Sequence, residues 1–479
     1  MARLAKQAVL ISLSRIANQA LMVISPVVLV RLLSVHEFGR YREFLLYVTL
    51  LTAFAAFSIN PSLLFFVPSR PDAAAGTIRR SLVLVAVSSF TVMAIAIAAD
   101  AIMHEQLFHG LRWSLVAYVL LFVNFDFWEH LWLAQKKTAF VFAYTSGRLF
   151  ARMAVVITAA ALTHDVDTVI RCLIVLEALR FGGAALVWYL RIQKQAAPAE
   201  PHSWRSHLEY CLPLGLSILV LTLNSNLGSL VVDQTLGPVA LAQYAIGGYV
   251  YLIVNTLRNS ISDVLLPEMV SAGRAADGRS MDLWQRSTVI FAILLLPIGV
   301  ILFRYADVVI TTLFSKRYLD AAPVFRVYLL ILVRECFDLD LALKAVNKTA
   351  QATRAHIGMF LSNLALLLVL TPRLGVVGAA AAMVIARFGN GIYLSFKLAH
   401  LQRFSIAKLL PWRDLGKVAL AALVAASVLY PDAWTAEFGT AGAAMAAIVY
   451  AMVFVLLLLA LHVPGLYTFS NLILRKRGS

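Results

Sequence analysis

Fourteen long apolar runs fill the 479-residue chain, and several arginines lie inside them. Each run is close to the ~20 residues that cross a bilayer core as a helix. Hydrocarbon offers no hydrogen-bond partner to an open backbone, so such runs must close their bonds internally. The alternating pattern of a transmembrane barrel is absent. The expected class is therefore all-α, a polytopic membrane protein with about fourteen transmembrane helices. Composition agrees: 61% of residues are hydrophobic and 14% charged, where a soluble domain carries about 25% charged residues.

The expected spans are 8–32, 44–67, 81–102, 113–134, 139–162, 167–190, 208–233, 242–264, 284–303, 323–343, 353–371, 375–398, 415–430 and 441–463. With the N-terminus placed in the cytoplasm, the outer segments hold Arg31, Arg40, Arg42, Arg112, Arg304, Lys316, Arg317 and Arg373. The inner segments hold 24 Lys and Arg against those 8. That asymmetry orients the chain by the positive-inside rule, with both termini cytoplasmic. It also accounts for the net charge of +16 without nucleic acid, which is not expected as a partner. The first run carries Ser14, Arg15, Asn18 and Gln19, too polar and too long for a cleaved signal, so it is expected to remain as the first helix. Cys172, Cys211 and Cys336 are far apart and show neither a disulfide framework nor metal spacing.

Two pairs of segments suggest a duplication. Leu33-Ser34-Val35-His36-Glu37-Phe38-Gly39-Arg40-Tyr41 is matched by Leu236-Gly237-Pro238-Val239-Ala240-Leu241-Ala242-Gln243-Tyr244. Arg180-Phe181-Gly182-Gly183 in the sixth run is matched by Arg387-Phe388-Gly389-Asn390 in the twelfth. The nearly constant offset implies two six-helix halves, related as parallel repeats because six is even. The expected organisation is an N-terminal six-helix lobe at 1–192, a Pro/Ala/Ser-containing cytoplasmic linker at 193–207 and a C-terminal six-helix lobe at 208–400. An interfacial segment and two extra helices follow at 401–479.

A guanidinium within hydrocarbon is costly and is a functional candidate by default. Arg148 and Arg152 are four apart and share a helix face. Arg180 and Arg387 lie near the middle of their runs, and Arg15 nearer an edge. These five are the candidate cationic cargo site, because forked guanidiniums grip phosphate bidentately. The alternative is internal pairing, for which Arg180 has Glu177 one turn away. Asp126, Glu129 and His130 share one face of the fourth helix and are candidates for proton or sodium coupling, or counter-charges for Arg148 and Arg152. Asn18, Gln19 and Asn224 are candidates to line a polar cavity and bind sugar hydroxyls, or to bond between helices. Arg334, Glu335, Asp338 and Asp340 form a further cluster, with Arg334 and Asp338 at pairing distance on a continuous helix. No hydrolase elbow, phosphate-cradling loop, zinc signature or ATPase domain is present, so no enzyme, cofactor or resident metal is expected.

VRLLSVHEFGRYREF (Val30–Phe44), YCLPLGLSILV (Tyr210–Val220), LFSKRYLDAAPVFRVYLL (Leu313–Leu330) and TPRLGVVGAAAAMVIARF (Thr371–Phe388) are in register over residues 8 to about 400. In that order they resemble the polysaccharide-transporter branch of the multidrug/oligosaccharidyl-lipid/polysaccharide exporter superfamily. The resemblance implies two parallel six-helix lobes working by alternating access. It implies a polyprenyl-diphosphate-linked glycan as cargo, flipped across the cytoplasmic (inner) membrane for O-antigen, exopolysaccharide or capsule assembly. Membrane lipid and polysaccharide assembly proteins are the partners it implies, and a monomer could enclose the path. The chain departs from the common LFG turn by carrying Ser315. A cation-coupled drug exporter of the same superfamily, or a polysaccharide polymerase or ligase, are the alternatives. The mid-span arginines disfavour the first and the short outer loops the second.

Overall fold

The computed structural model describes residues 24–192, 203–273, 279–346, 348–402, 405–429 and 433–463. Among them there is helix and no strand, as the apolar runs require. The chain forms two compact units, Met1–Ala242 and Gln243–Ser479.

The first unit contains α1 (Val35–Ala56), α2 (Leu63–Ser69), α3 (Ala74–Ile102), α4 (Arg112–Val123), α5 (Trp128–Ala134), α6 (Thr138–Thr163) and α7 (Val166–Val187). The start of α8 (Trp204–Gly273) also belongs to it. The second unit holds the rest of α8, then α9 (Arg279–Arg304), α10 (Ala306–Leu313), α11 (Ala322–Leu329), α12 (Ile331–Glu335) and α13 (Leu339–Ala345). It ends with α14 (Thr349–Gln402), α15 (Ile406–Leu409), α16 (Trp412–Ala425) and α17 (Ala433–Ala460).

Local chemistry explains the ends of these helices. Ser34 and Glu37 form a reciprocal capping box that starts α1: Glu37 N donates to Ser34 Oγ (3.2 Å) and Ser34 N donates to Glu37 Oε2 (3.0 Å). Asp165 caps α7 by accepting from the backbone of Asp167 and Thr168 and from the Thr168 hydroxyl. Those bonds, the Thr168 side chain first, hold its carboxyl below the usual carboxylate range. The turn expected at Leu236–Pro238 is present: Gly237 leaves the helical region with φ 81° and ψ −176° and divides α8.

Six helices among the described residues are long and apolar enough to cross a membrane. The other expected spans differ in an informative way. The fourth, expected as continuous over 113–134, is broken after Val123 and resumes at Trp128, with Phe125 at φ 57°. The tenth, expected over 323–343, is divided into α11, α12 and α13. Both interruptions fall where acidic residues stand in an apolar run, at Asp126 and at Glu335–Asp338.

Large apolar side chains cover the outside. Phe90, Leu162, Leu179 and Leu423 are each 62–77% exposed, a pattern suited to lipid rather than water. Inside the first unit, Leu63, Val67, Ile78, Phe127, Trp128 and Leu131 form one core. Inside the second, Trp284 packs with Leu339, Leu343, Leu394, Leu398 and Leu409. The buried Trp284 indole donates to Asp338 O (2.7 Å), using a carbonyl beside the break between α12 and α13.

Two backbone positions yield predictions. Ser315, which stands where the resembling family has Gly, adopts φ 94° and ψ 161°, a region that is nearly Gly-only and costs about 1–3 kcal/mol otherwise. Its hydroxyl is also buried without a partner. Ser315→Gly should raise stability by about 1 kcal/mol, read as a higher melting temperature in detergent. Gly39 sits against α8, where an added Cβ would lie 2.1 Å from Pro238 O. Backbone cannot move aside cheaply, so Gly39→Ala should destabilise by about 1–3 kcal/mol in the same assay.

Candidate functional site

In the first unit the break between α4 and α5 leaves backbone carbonyls without helical partners. Arg180 of α7 meets them: its Nη2 donates to Leu121 O, Phe122 O (2.9 Å) and Asn124 O (3.4 Å), and its Nη1 to Phe125 O (3.4 Å). Its Nε donates to Glu177 Oε2, one turn earlier in α7. Arg180 is 10% exposed and Glu177 is 4% exposed. Only a planar guanidinium has enough donors in a fixed fork for this task.

Arg148 of α6 completes the cluster. Its Nη1 donates to Asp126 Oδ1 (2.7 Å), its Nη2 lies 3.5 Å from Glu177 Oε2, and its guanidinium stands 4.5 Å from the centre of the Phe122 ring. Asp126 also lies 3.8 Å from Arg180. Arg152, one turn further along α6, is half-buried and has no carboxylate at ion-pair distance and no hydrogen bond among the described residues. Its surroundings are Tyr118, Tyr41 and Glu177, with Arg148 as a like charge. Tyr118 is fully buried, and its hydroxyl has no hydrogen-bond partner. The contacts thus join two cations, Arg148 and Arg180, to two carboxylates, Asp126 and Glu177, and Arg152 stands beside them unmatched among the described residues.

The second unit repeats this chemistry at its own broken helix. Arg387 of α14 donates to Glu335 Oε1 (2.7 Å) at the end of α12. Arg258 of α8 reaches the other oxygen of the same carboxylate (2.8 Å). Arg387 also donates to the Tyr251 hydroxyl and lies over that ring. Asp338 does not pair with Arg334. The helix stops at Glu335, so the four-residue register is lost. Asp338 instead caps α13 by accepting from Leu341 N (3.0 Å) and from the Ser262 hydroxyl, while Arg334 donates to Phe337 O (2.9 Å). Asp340 faces His356 at 3.2 Å. Arg258, Ser262, Asp338, Asp340, Lys344 and His356 line a polar cavity of about 490 Å³ in this unit.

The sequence candidates therefore separate. Arg148, Arg180 and Asp126 come together in one cluster, Arg152 stands beside it, and Arg387 lies in the corresponding cluster of the second unit. Glu129 makes no ion pair among the described residues, although His130 and Arg148 are within its electrostatic reach. His130 Nδ1 and Asn224 Oδ1 are buried without hydrogen-bond partners. Arg15, Asn18 and Gln19 lie outside the described residues. Arg258 and His356 were not singled out from sequence. An arginine inside the eighth apolar run was the available signal for Arg258, whereas His356 becomes notable only beside Asp340.

The fold is similar to those of solved membrane transporters. It is similar to a structure described as lipid II flippase MurJ in an inward closed conformation, with TM-score 0.67 and 15% identity over 93% of this chain and 98% of that one. It is also similar to an inward-facing multidrug resistance MATE family transporter of the MOP superfamily, with TM-score 0.58 and 12% identity over 81% and 96%. No curated protein matches the sequence. Residues 28–323, more than half of the chain, match the family described as polysaccharide biosynthesis protein, and the chain belongs to that family. The resemblance carried by Val30–Phe44 and the later segments is thereby borne out.

Removing the Arg180 fork would leave Glu177 and the freed carbonyls unmet inside the unit. Arg180→Ala should cost about 3–5 kcal/mol. Arg180→Lys should recover only part of this, because an ammonium has three donors and no plane. Thermal unfolding of the purified variants in detergent, with Arg205→Lys as a surface control, would measure both.

Proposed function

We propose that the chain is a flippase that moves a polyprenyl-diphosphate-linked oligosaccharide from the inner to the outer leaflet of the cytoplasmic membrane by alternating access. The observation that carries this reading is the unmatched Arg152, held beside the Arg148–Asp126–Glu177–Arg180 cluster with the unpartnered Tyr118 hydroxyl in its surroundings. A half-buried guanidinium within an apolar span, with no carboxylate at ion-pair distance among the described residues, is an anion site in waiting. A diphosphate supplies the missing negative charge and acceptor oxygens, while a polyprenyl tail can remain in lipid. Membership of a polysaccharide biosynthesis family and a transporter fold favour a glycan-bearing cargo.

Within this proposal the lobes are residues 1–192 and 208–400, joined by the linker 193–207, with 401–479 as an appendage and both termini cytoplasmic. Arg148 and Arg180 act through position: they hold Asp126 and Glu177 so that neither carboxylate neutralises Arg152. Arg387 holds the equivalent place in the second unit, where it shares Glu335 with Arg258. Arg15, Asn18, Gln19 and Asn224 remain proposed cavity residues, with sugar hydroxyls as their targets. Glu129 and His130 are the proposed coupling groups for protons or sodium, because neither is engaged in an ion pair. The protein works as a monomer in this reading, alongside polysaccharide assembly proteins. The bias toward positive charge sets this cargo apart from the cations that a drug exporter would carry.

The test is a flipping assay in proteoliposomes with a fluorescent polyprenyl-diphosphate oligosaccharide, with and without an imposed proton or sodium gradient. Loss of a hydrogen-bonded charge contact worth about 1.5–3 kcal/mol corresponds to a roughly 10- to 100-fold lower rate. Arg152→Ala should show that loss with an unchanged melting temperature, since it orphans no partner. Arg148→Ala should lower both. An Arg152→Ala protein that flips at the wild-type rate would refute the assignment of Arg152, and export of cationic drugs in place of the glycan would refute the flippase.

A further inference from the structure

Away from the arginine clusters, the first unit gathers Glu43, His109 and Asp233 into one group. Their potential ligand atoms all lie within 4.8 Å of one another. They come from α1, from the loop between α3 and α4, and from α8, so no spacing in the sequence could reveal them. Glu43 and Asp233 are 0% and 1% exposed, whereas the His109 side chain is 37% exposed.

Each carboxylate is only half satisfied. Glu43 Oε1 meets His109 Nδ1 at 2.7 Å, and Asp233 Oδ2 accepts from the Tyr47 hydroxyl at 2.7 Å. Glu43 Oε2 and Asp233 Oδ1 are buried and have no hydrogen-bond partner. Arg40, one turn before Glu43, lies 3.8 Å from Asp167 and donates no hydrogen bond to Glu43. Two buried carboxylates sharing one place, each with a bare oxygen, are costly unless a cation stands between them.

The surroundings hold this arrangement in place. Asp100, itself buried, accepts from Leu107 N (3.2 Å), Phe108 N (3.2 Å) and Arg112 Nη1 (3.3 Å), which shapes the loop that presents His109. Gln234 donates to the Tyr47 hydroxyl and to Leu107 O (3.0 Å), tying α8 to α1 and to the same loop. The contact of Gly39 with Pro238 brings α1 and α8 to backbone distance one turn from Glu43.

We propose that Glu43, His109 and Asp233 bind a divalent transition-metal ion that clasps α1, the α3–α4 loop and α8 at one end of the first unit. One imidazole and two carboxylates suit zinc or a similar borderline ion better than an alkali ion. Metal bonds of about 2.0–2.2 Å would close the present spacing through side-chain shifts of about an ångström. Tyr47 and Gln234 orient Asp233 from outside the ligand set, the usual role of groups behind a metal ligand. The exposed edge of His109 provides the way in, and a fourth position is left to water. This site is separate from the flippase reading and does not depend on it.

The test uses the purified full-length protein, stripped with a chelator and titrated with Zn²⁺ against a fluorescent zinc indicator, with metal content measured after dialysis. One Zn²⁺ per chain is expected, with a melting temperature that rises to saturation. His109→Ala changes the most exposed ligand and should fold; it should weaken binding at least ~10-fold and abolish the thermal rise. Asp233→Asn should do the same where it folds. Absence of stoichiometric zinc, or unchanged affinity in His109→Ala, would overturn the site and leave Glu43 and Asp233 as a proton-sharing pair.

Discussion

The fourth helix of this chain is interrupted inside an apolar run, and one guanidinium makes that possible. A break there frees carbonyls that hydrocarbon cannot satisfy. Arg180 donates to four of them and to Glu177. That fork turns a local defect into a fixed platform. Asp126 emerges from the interrupted stretch, Arg148 is drawn to Asp126 and Glu177, and Arg152 is held one turn beyond with no acid left to meet it. The charge cluster around the interrupted fourth helix follows from this single arrangement.

The second unit solves the same problem with other parts. Its tenth helix is broken on both sides of α12, and Arg387 and Arg258 share Glu335 at the end of that segment. The break is further met by Trp284 on Asp338 O and Arg334 on Phe337 O. Arg180 and Arg387 are the two residues paired by the sequence duplication. Each meets an interrupted apolar run of its own unit, Arg180 at the break after Val123 and Arg387 at Glu335. The distribution of contacts nevertheless differs: both arginines of the second unit touch Glu335, whereas in the first unit Arg152 touches no carboxylate among the described residues.

Much of the fold was legible because hydrocarbon imposes a simple rule. Long apolar runs become helices, and turn residues such as Ser34-Val35-His36-Glu37 and Leu236-Gly237-Pro238 mark where they start and stop. The capping box at Ser34 and the positive φ at Gly237 follow from those residues alone. Ser315 is a departure from the common LFG turn, yet the backbone keeps the conformation that glycine would take. The interruptions of the fourth and tenth helices were not read, because hydropathy averages over a window and a few acidic residues hardly change the mean. Their meaning rests on distant partners, 59 residues away between Arg180 and Leu121 and 76 between Ser262 and Asp338.

The sequence by itself determined a helical membrane protein and the presence of arginines within its spans, Arg180 and Arg387 among them. These are properties of composition, period and order along the chain. Tertiary structure alone decided which arginines are spent on carbonyls and carboxylates and which is left unmatched. It alone brought Glu43, His109 and Asp233 together from three separate segments. The physical reason is that hydrophobic burial is close to additive along a sequence. The fate of a buried charge is set instead by the few atoms within hydrogen-bond reach, which the chain supplies from distant places.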